Sequence, residues 1–377
     1  SSDLSVVGYN DYWEELTCRD STVVAAAYGC IGGATYGQIA VSSDSGLTWS
    51  IKSPNSLGYR GVAASNDLMY LYGMRGGTNC NWDLRTYVSS NAGATWSSPS
   101  TVQDWETVCT SASGQYVVAG AGNTRSTVMY SLNYGATWST MQGLRANGVD
   151  KLGEYGISVC SGDGKYVYMI SGGFGLLVSS NFGQSGEIST NSIVLQFIGL
   201  VGIYISAISP DGMYVFLAGS TAASGYVCYS MDFGATWQLN EFVGLTHIVD
   251  VSYDYSTKLV YVITSQSSIR ELNFLQPRPT GAPLIPPSMH PSSKPSRQPS
   301  VPPSMQPSAQ PSRGPTRQTL SLSALELNFF NAATGSCAAN PKCRHSICNT
   351  RSTIVVVEGG WDIKGNMYVS QDAGASF

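Results

Sequence analysis

Short apolar runs of four to six residues, rich in β-branched and aromatic side chains, alternate along the chain with clusters of Gly, Ser, Asn and Asp. The pattern is plain at residues 105–109 (Trp-Glu-Thr-Val-Cys), 114–120 (Gly-Gln-Tyr-Val-Val-Ala-Gly), 126–130 (Ser-Thr-Val-Met-Tyr) and 137–139 (Thr-Trp-Ser). Runs of this length, bounded by turn formers, predict strands. The same four-run group is legible at 13–18, 23–29, 38–42 and 48–51, and again at 203–209, 214–219, 226–229 and 236–239. Four-stranded sheets repeated with no helix between them predict an all-β fold made of propeller blades.

One octapeptide punctuates these groups. It stands as Ser-Ser-Asp44-Ser-Gly-Leu-Thr-Trp49 and returns around Asn91 and Trp96, Asn133 and Trp138, and Asp232 and Trp237. Two worn copies surround Asn181, which lacks Thr-Trp, and Asp372, which ends in Ser-Phe. Positions 44, 91, 133, 181 and 232 are 47, 42, 48 and 51 residues apart, a period that marks a repeat architecture. The octapeptide falls between the third and fourth runs, so it predicts a hairpin. Asp or Asn accepts hydrogen bonds from turn amides. Gly supplies positive φ, and Trp is expected to bury an apolar face against its own blade. Asn at three positions keeps the acceptor without the charge, which suits capping and not acid–base chemistry.

Ser-x-Asp-x-Gly-x-Thr-Trp resembles the Asp-box, or bacterial neuraminidase repeat, of the Asp-box propeller superfamily. That superfamily includes sialidases, xyloglucan-cleaving hydrolases and sortilin-type receptors. The resemblance implies a propeller in which the box is structural and lies away from any catalytic centre. Five box-bearing blades are expected before residue 240, a sixth without a box at 246–274, and a last unit at 353–377, seven in all. Residues 1–275 would hold blades one to six. Residues 320–377 would hold a Cys-containing loop and the last blade, closed by an N-terminal strand at 4–7.

The chain carries 20 basic and 24 acidic residues among 377, a net charge of −4. Residues 276–319 contribute Arg278, Lys294, Arg297, Arg313 and Arg317 and no acid, so the remainder is −9. An acidic folded body argues against nucleic acid as partner, and no apolar run is long enough for a membrane helix. The basic segment is a second repeat, Pro-Ser-x-x with period four. Its hydroxyls are Ser288, Ser292, Ser296, Ser300, Ser304, Ser308, Ser312 and Thr316. Thirteen of the 17 prolines lie in 277–315, which predicts an extended polyproline II rod. At about three residues per turn a four-residue repeat spirals the hydroxyls around the rod, as suits O-glycosylation from all sides.

Nine cysteines and a first residue other than Met predict a secreted, oxidised protein. Cys337, Cys343 and Cys348 crowd one stretch, where local disulfides are expected over a zinc site that would also use His345. Cys30 and Cys80 form a further candidate pair. Cys18, Cys109 and Cys160 recur at the ends of first strands, where they are expected to be small buried residues of separate blades. A sialidase-type site would need an arginine triad and a Tyr–Glu pair; residues 1–275 hold seven arginines, and Tyr59-Arg60-Gly61-Val62 and Glu154-Tyr155 are the nearest matches. Asp104, Asp150, Glu154 and Asp250 are the carboxylates that could line a central mouth.

The function expected from these features is non-catalytic: a secreted structural glycoprotein that self-associates, or joins other structural glycoprotein chains, in a filament, wall or matrix. No cofactor is expected. Pro-Ser-x-x runs beside such blades are similar to surface proteins of unicellular algae, including flagellar-hair (mastigoneme) proteins. The alternative is a glycan-cleaving or glycan-binding propeller.

Overall fold

A computed structural model describes residues 13–274 apart from short connecting stretches, together with residues 320–328, 344–350, 353–359 and 367–370. The described chain is almost entirely antiparallel sheet, in chain order. The first sheet is Trp13–Arg19, Thr22–Ala27, Ile39–Ser42 and Ser50–Ile51. The second is Gly61–Ala64, Leu71–Met74 and Thr86–Ser89, where a bridge from Val88 to Ser97 stands for a fourth strand. The third, fourth and fifth sheets begin at Trp105–Thr110, Tyr155–Cys160 and Gly202–Ile208, and each has four strands. The sixth is Ile248–Asp254, Leu259–Thr264, Ser268–Phe274 and Leu320–Asn328. The last is three-stranded: Arg344–Thr350, Thr353–Gly359 and Met367–Ser370.

The first strands of successive sheets pack side by side, and Arg344–Thr350 packs against both Ile248–Asp254 and Trp13–Arg19. That cycle is the inner wall of a β-propeller. The expected seven complete blades are corrected to six, with a three-stranded sheet between the sixth and the first. The predicted closing strand at 4–7 lies outside the described residues, as does the predicted polyproline segment. Two further expectations change. Residues 320–328 pair with Ser268–Phe274 as the sixth blade's fourth strand, with Phe274 opposite Leu320. The expected cysteine loop contains the strand Arg344–Thr350, because Ile347, Val355 and their neighbours form a ladder that buries on both faces.

The core lies between sheets, not within them. Ala63, Tyr72 and Met74 of the second sheet pack with Trp105, Val117 and Ala119 of the third. Trp13, Val23 and Ala25 of the first pack with Val355, Val357 and Met367 of the last. Second strands are the most completely buried, as at Thr22–Ala27, because a neighbouring sheet covers each of their faces. Each first strand of blades one, three, four, five and six carries a bulge near its start, such as that between Trp105 and Thr107. The extra residue raises the local twist the blade needs.

Meander topology puts the turn between strands one and two at the same end as the turn between strands three and four. All these turns therefore share one face of the ring, the hairpin face. The opposite face carries the longer insertions, among them the hairpin Gly29–Ile31/Ala34–Tyr36 and a helix, α1 (Ser192–Leu200), capped by Asn191. Close approach between blades explains the hairpin-face glycines. A Cβ on Gly183, at φ +76°, would stand 2.5 Å from Val118 Cγ2 of the preceding blade. Gly183→Ala is expected to cost about 1–3 kcal/mol through backbone strain and overpacking. Thermal unfolding reads this directly; an unchanged midpoint would contradict the packing described.

Candidate functional site: the hairpin face

The octapeptide turn is built around its first Ser as much as its acid. Ser42 Oγ donates to Asp44 Oδ1 (2.7 Å) and accepts from the Gly46 amide (2.8 Å). Asp44 Oδ1 accepts from the Thr48 amide (2.8 Å), and Oδ2 accepts from the Thr48 hydroxyl (2.6 Å). Asp232 repeats both contacts with Thr236, at 2.8 and 2.6 Å. Where Asn stands, the amide acceptor is kept and the second contact reverses: Asn91 Nδ2 and Asn133 Nδ2 donate to the hydroxyls of Thr95 (2.8 Å) and Thr137 (2.9 Å). The copy at Asn181 uses Ser185 in the same way, so the loss of Thr-Trp leaves the hydroxyl in place. The residue after each acid or amide also has positive φ, from 56° to 63° at Ser45, Ala92, Tyr134, Phe182 and Phe233, in addition to the Gly that follows.

Each Trp indole donates to the octapeptide's own Gly carbonyl, as Trp49 does to Gly46 O (2.7 Å). Its ring packs against its own blade, as expected, and also reaches the junction with the preceding one. Trp96 also donates to Lys52 O of the first blade, Trp138 joins the cluster of Tyr72 and Met74, and Trp237 meets Tyr168 edge-on at 6.4 Å. Asp372 lies outside the described residues.

A second repeat, missed in the sequence, forms the inner turns: Ser65-x-Asp67, Ser111-x-Ser113, Ser161-x-Asp163 and Ser209-x-Asp211, each ending in a Tyr five residues after the Ser (70, 116, 166, 214). The Ser hydroxyl bonds the acid or hydroxyl two residues on, at 2.5–3.1 Å. These turns link the blades directly. Thr22 Oγ1 donates to Asn66 O (2.6 Å), Asn66 N to Ala112 O (2.8 Å), Ala112 N to Gly162 O (2.7 Å) and Gly162 N to Pro210 O (2.6 Å). The terminal Tyr of each turn then lies under a ring from the next blade. Tyr70 stacks on Tyr134 at 4.4 Å and Tyr166 on Phe233 at 5.0 Å, while Tyr116 meets Phe182 at 4.4 Å and Tyr214 meets Tyr253 at 5.6 Å with tilted rings. A Ser-x-Asp-Gly-x-Tyr period in the sequence would have revealed them.

The face is acidic. Asp20, Asp44, Asp67, Asp163, Asp211 and Asp232 stand on its turns, accompanied by Lys165 and Lys258 over the rings of Tyr166 and Tyr214. Partial burial opposes ionisation of Asp44 and Asp232, but the bonds from Thr and Ser outweigh it and hold both carboxyls below the usual range. For Asp67 the Ser65 bond is the larger effect, in the same direction. Near the axis, Arg19 reaches from the first blade to Thr110 O (3.2 Å) and Cys160 O (3.3 Å), and burial lowers its pKa to about 10.

Of the candidate mouth carboxylates, Asp250 is engaged by backbone amides. Asp250 Oδ2 accepts from the Ile347 amide and Oδ1 from Val251, both at 2.6 Å. Asp104 is buried, and Asp150 stands in a two-stranded hairpin with Arg145–Ala146; both precede first strands, on the face opposite the turns. Arg60 is paired with Glu106. Glu154 and Cys30's expected partner Cys80 lie outside the described residues, as do Cys337 and Cys343. Cys109 and Cys160 form a disulfide between the third and fourth blades, with Cα atoms 5.5 Å apart. Staggering by one position brings together two residues that identical positions would have kept apart. Cys228 is a free, buried thiol, pushed by burial up to about 12.

No protein-family model matches the sequence, and no curated protein sequence matches it. Among solved structures, the GH74 xyloglucanase from Xanthomonas campestris is similar in fold, with a TM-score of 0.50 at 12% identity over 71% of this chain. The match spans 45% of that enzyme's chain.

Two expected outcomes follow from the turn geometry. Asp44→Asn should change stability by less than about 0.5 kcal/mol, since Asn91 and Asn133 already occupy the same turn, whereas Asp44→Ala should cost about 1–2 kcal/mol. Because the folded carboxyls are lowered, their stabilisation is present above the unfolded pKa and lost as pH falls through the folded one. The melting midpoint should therefore decline below about pH 4, and less steeply in an Asp44→Asn/Asp232→Asn variant. Identical acid profiles for the two proteins would contradict this.

Proposed function

We propose that this chain is a non-catalytic association module of the Asp-box propeller type, a secreted structural glycoprotein that builds an extracellular filament, wall or matrix. The observation that carries this reading is where residues 275–319 are rooted. Phe274 and Leu320 are paired, so the segment leaves and re-enters the fold between the third and fourth strands of the sixth blade, on the hairpin face. It occupies the place that an octapeptide turn holds in the preceding blades. A segment of charge +5 is thus tethered at a face bearing the turn aspartates, three of them held anionic by their hydrogen bonds. The same face exposes stacked rings, Tyr134 at 36% and Phe233 at 42%. Aromatic platforms receive extended Pro-rich strands, and opposite charge steers them there.

In this reading the Pro-Ser segment of one molecule lies on the hairpin face of another. Such head-to-tail contact propagates as an open filament unless the rotation closes. The serines at 288–312 and Thr316 would carry covalent glycans on the sides turned to solvent. The Cys109–Cys160 disulfide supports an oxidising compartment. A glycan-cleaving propeller is the second reading, favoured by the xyloglucanase fold neighbour and located on the opposite face near Asp104 and Asp150.

Sedimentation velocity on the full chain at about 50 and 500 mM salt tests the association, since salt screens exposed charge. We expect concentration-dependent assembly at low salt, lost at high salt and in a Lys294→Glu/Arg297→Glu/Arg313→Glu variant. A monomer at every concentration and salt would overturn the reading. Sugar release from xyloglucan or sialylated glycans that disappears in Asp104→Asn would establish the second reading instead.

A further inference from the structure

Cys109 and Cys160 are not at equivalent positions, and their offset defines a rule that can be applied around the ring. Trp13, Trp105 and Tyr155 occupy one structural position, each immediately before the bulge of a first strand. Cys160 lies five residues after Tyr155, and Cys109 four after Trp105. The disulfide therefore joins the fourth residue past the bulge marker in one blade to the fifth in the blade that follows it.

Cys18 lies five residues after Trp13, at the place of Cys160. Its opposite number should sit at the place of Cys109 in the sheet that precedes the first blade around the ring, which is the three-stranded sheet beginning at Arg344. The register there is set by two matching bonds. Glu15, two residues past Trp13, accepts from the Val62 amide of the next blade; Asp250, two past Ile248, accepts from the Ile347 amide of the next sheet. Ile347 thus corresponds to Val62. Val62 stands three residues before Ser65, as Val108 stands three before Ser111, so Ile347 also corresponds to Val108. The residue after Ile347 is Cys348, at the place of Cys109. The strands that carry the two residues, Arg344–Thr350 and Trp13–Arg19, pack side by side, as Trp105–Thr110 and Tyr155–Cys160 do.

Cys18 is half of a disulfide. Cys109 and Cys160 hold each other, and Cys228 is free. Cys30 follows the far end of the strand Thr22–Ala27, whose near end pairs with Cys18. We propose that Cys18 and Cys348 are joined in a disulfide that closes the ring between its last sheet and its first. Forming the bond removes two protons and two electrons from the two thiols. An exchanging disulfide of the oxidising compartment takes them up and is released as two thiols. The ring is then sealed covalently at its junction of greatest sequence separation, and the free cysteine among the described residues is the buried Cys228.

Peptide mapping of the untreated wild-type chain, alkylated without reduction and digested, tests the assignment without any variant. The expected result is a linked pair containing Cys18 and Cys348 that separates on reduction. Linkage of Cys18 to any other cysteine, or recovery of alkylated Cys18, would overturn it. Variants give a second readout. Cys18→Ser and Cys348→Ser should each expose one new titratable thiol in the denatured chain and lower the melting midpoint by about 5–15 °C. The double variant should expose none and melt with the singles. If the double variant melts lower by the sum of the two single effects, the cysteines are not partners.

Discussion

The backbone hydrogen bonds that run from blade to blade through Asn66, Ala112, Gly162 and Pro210 set the spacing on which the rest of this molecule depends. A propeller blade has two apolar faces and cannot cover either alone. Each link fixes one turn against the next at 2.6–2.8 Å, and the second strands then bury both faces. The spacing leaves no room for side chains where turns cross. A Cβ on Gly162 would stand 2.8 Å from Pro210 O, so glycine at this point follows from the link itself.

Upon that inner ring the octapeptide adds an outer one. Its logic is that of a turn whose acceptor must be present and whose charge need not be. Thr48 donates its hydroxyl to Asp44, while Thr95 accepts through its hydroxyl from Asn91. A hydroxyl can rotate to serve either partner, so Asp and Asn exchange freely at this position. The indole that follows ties the outer ring back to the preceding blade, and at Tyr134, Phe182 and Phe233 the positive-φ residue before Gly lays its ring on that blade's Tyr. The fifth blade and the sixth show that the stack survives the loss of the octapeptide, since Tyr253 of the inner strand supplies the ring for Tyr214.

The repeat spacing and the strand composition made the architecture legible, because period and turn chemistry are local properties. Blade completeness was less so. Leu320–Asn328 was assigned to the last unit since 45 residues separate it from its strand partner, and pairing across such a distance leaves no local mark. The turn Ser-x-Asp-Gly-x-Tyr is masked in the sequence because its copies vary at the acid and at the Gly, as in Ser65-Asn-Asp67-Leu68. The cysteine pair at 109 and 160 was hidden for a different reason: neighbouring blades meet with a one-residue stagger, which sequence position alone does not reveal. For the candidate site, the octapeptide acids Asp44 and Asp232 were legible by residue, whereas Asp67, Asp163 and Asp211 of the inner turns were not, and their gathering on a single face with the root of the Pro-Ser segment emerged only from the topology.

That gathering gives the molecule two unlike faces. One is uniform, acidic and aromatic, with the basic segment anchored in it. The other carries α1, the short hairpins, and the positions of Asp104 and Asp150 ahead of their first strands. Association belongs to the first face, and what covers that face in the assembled state decides the function. Electron cryo-microscopy of assemblies formed by the full chain tests this most directly. The account predicts density for residues 276–319 of one molecule running across the turns at Asp44, Asp67, Asp163 and Asp232 of its neighbour. Rings that meet through their opposite faces, with the turns open to solvent, would contradict it.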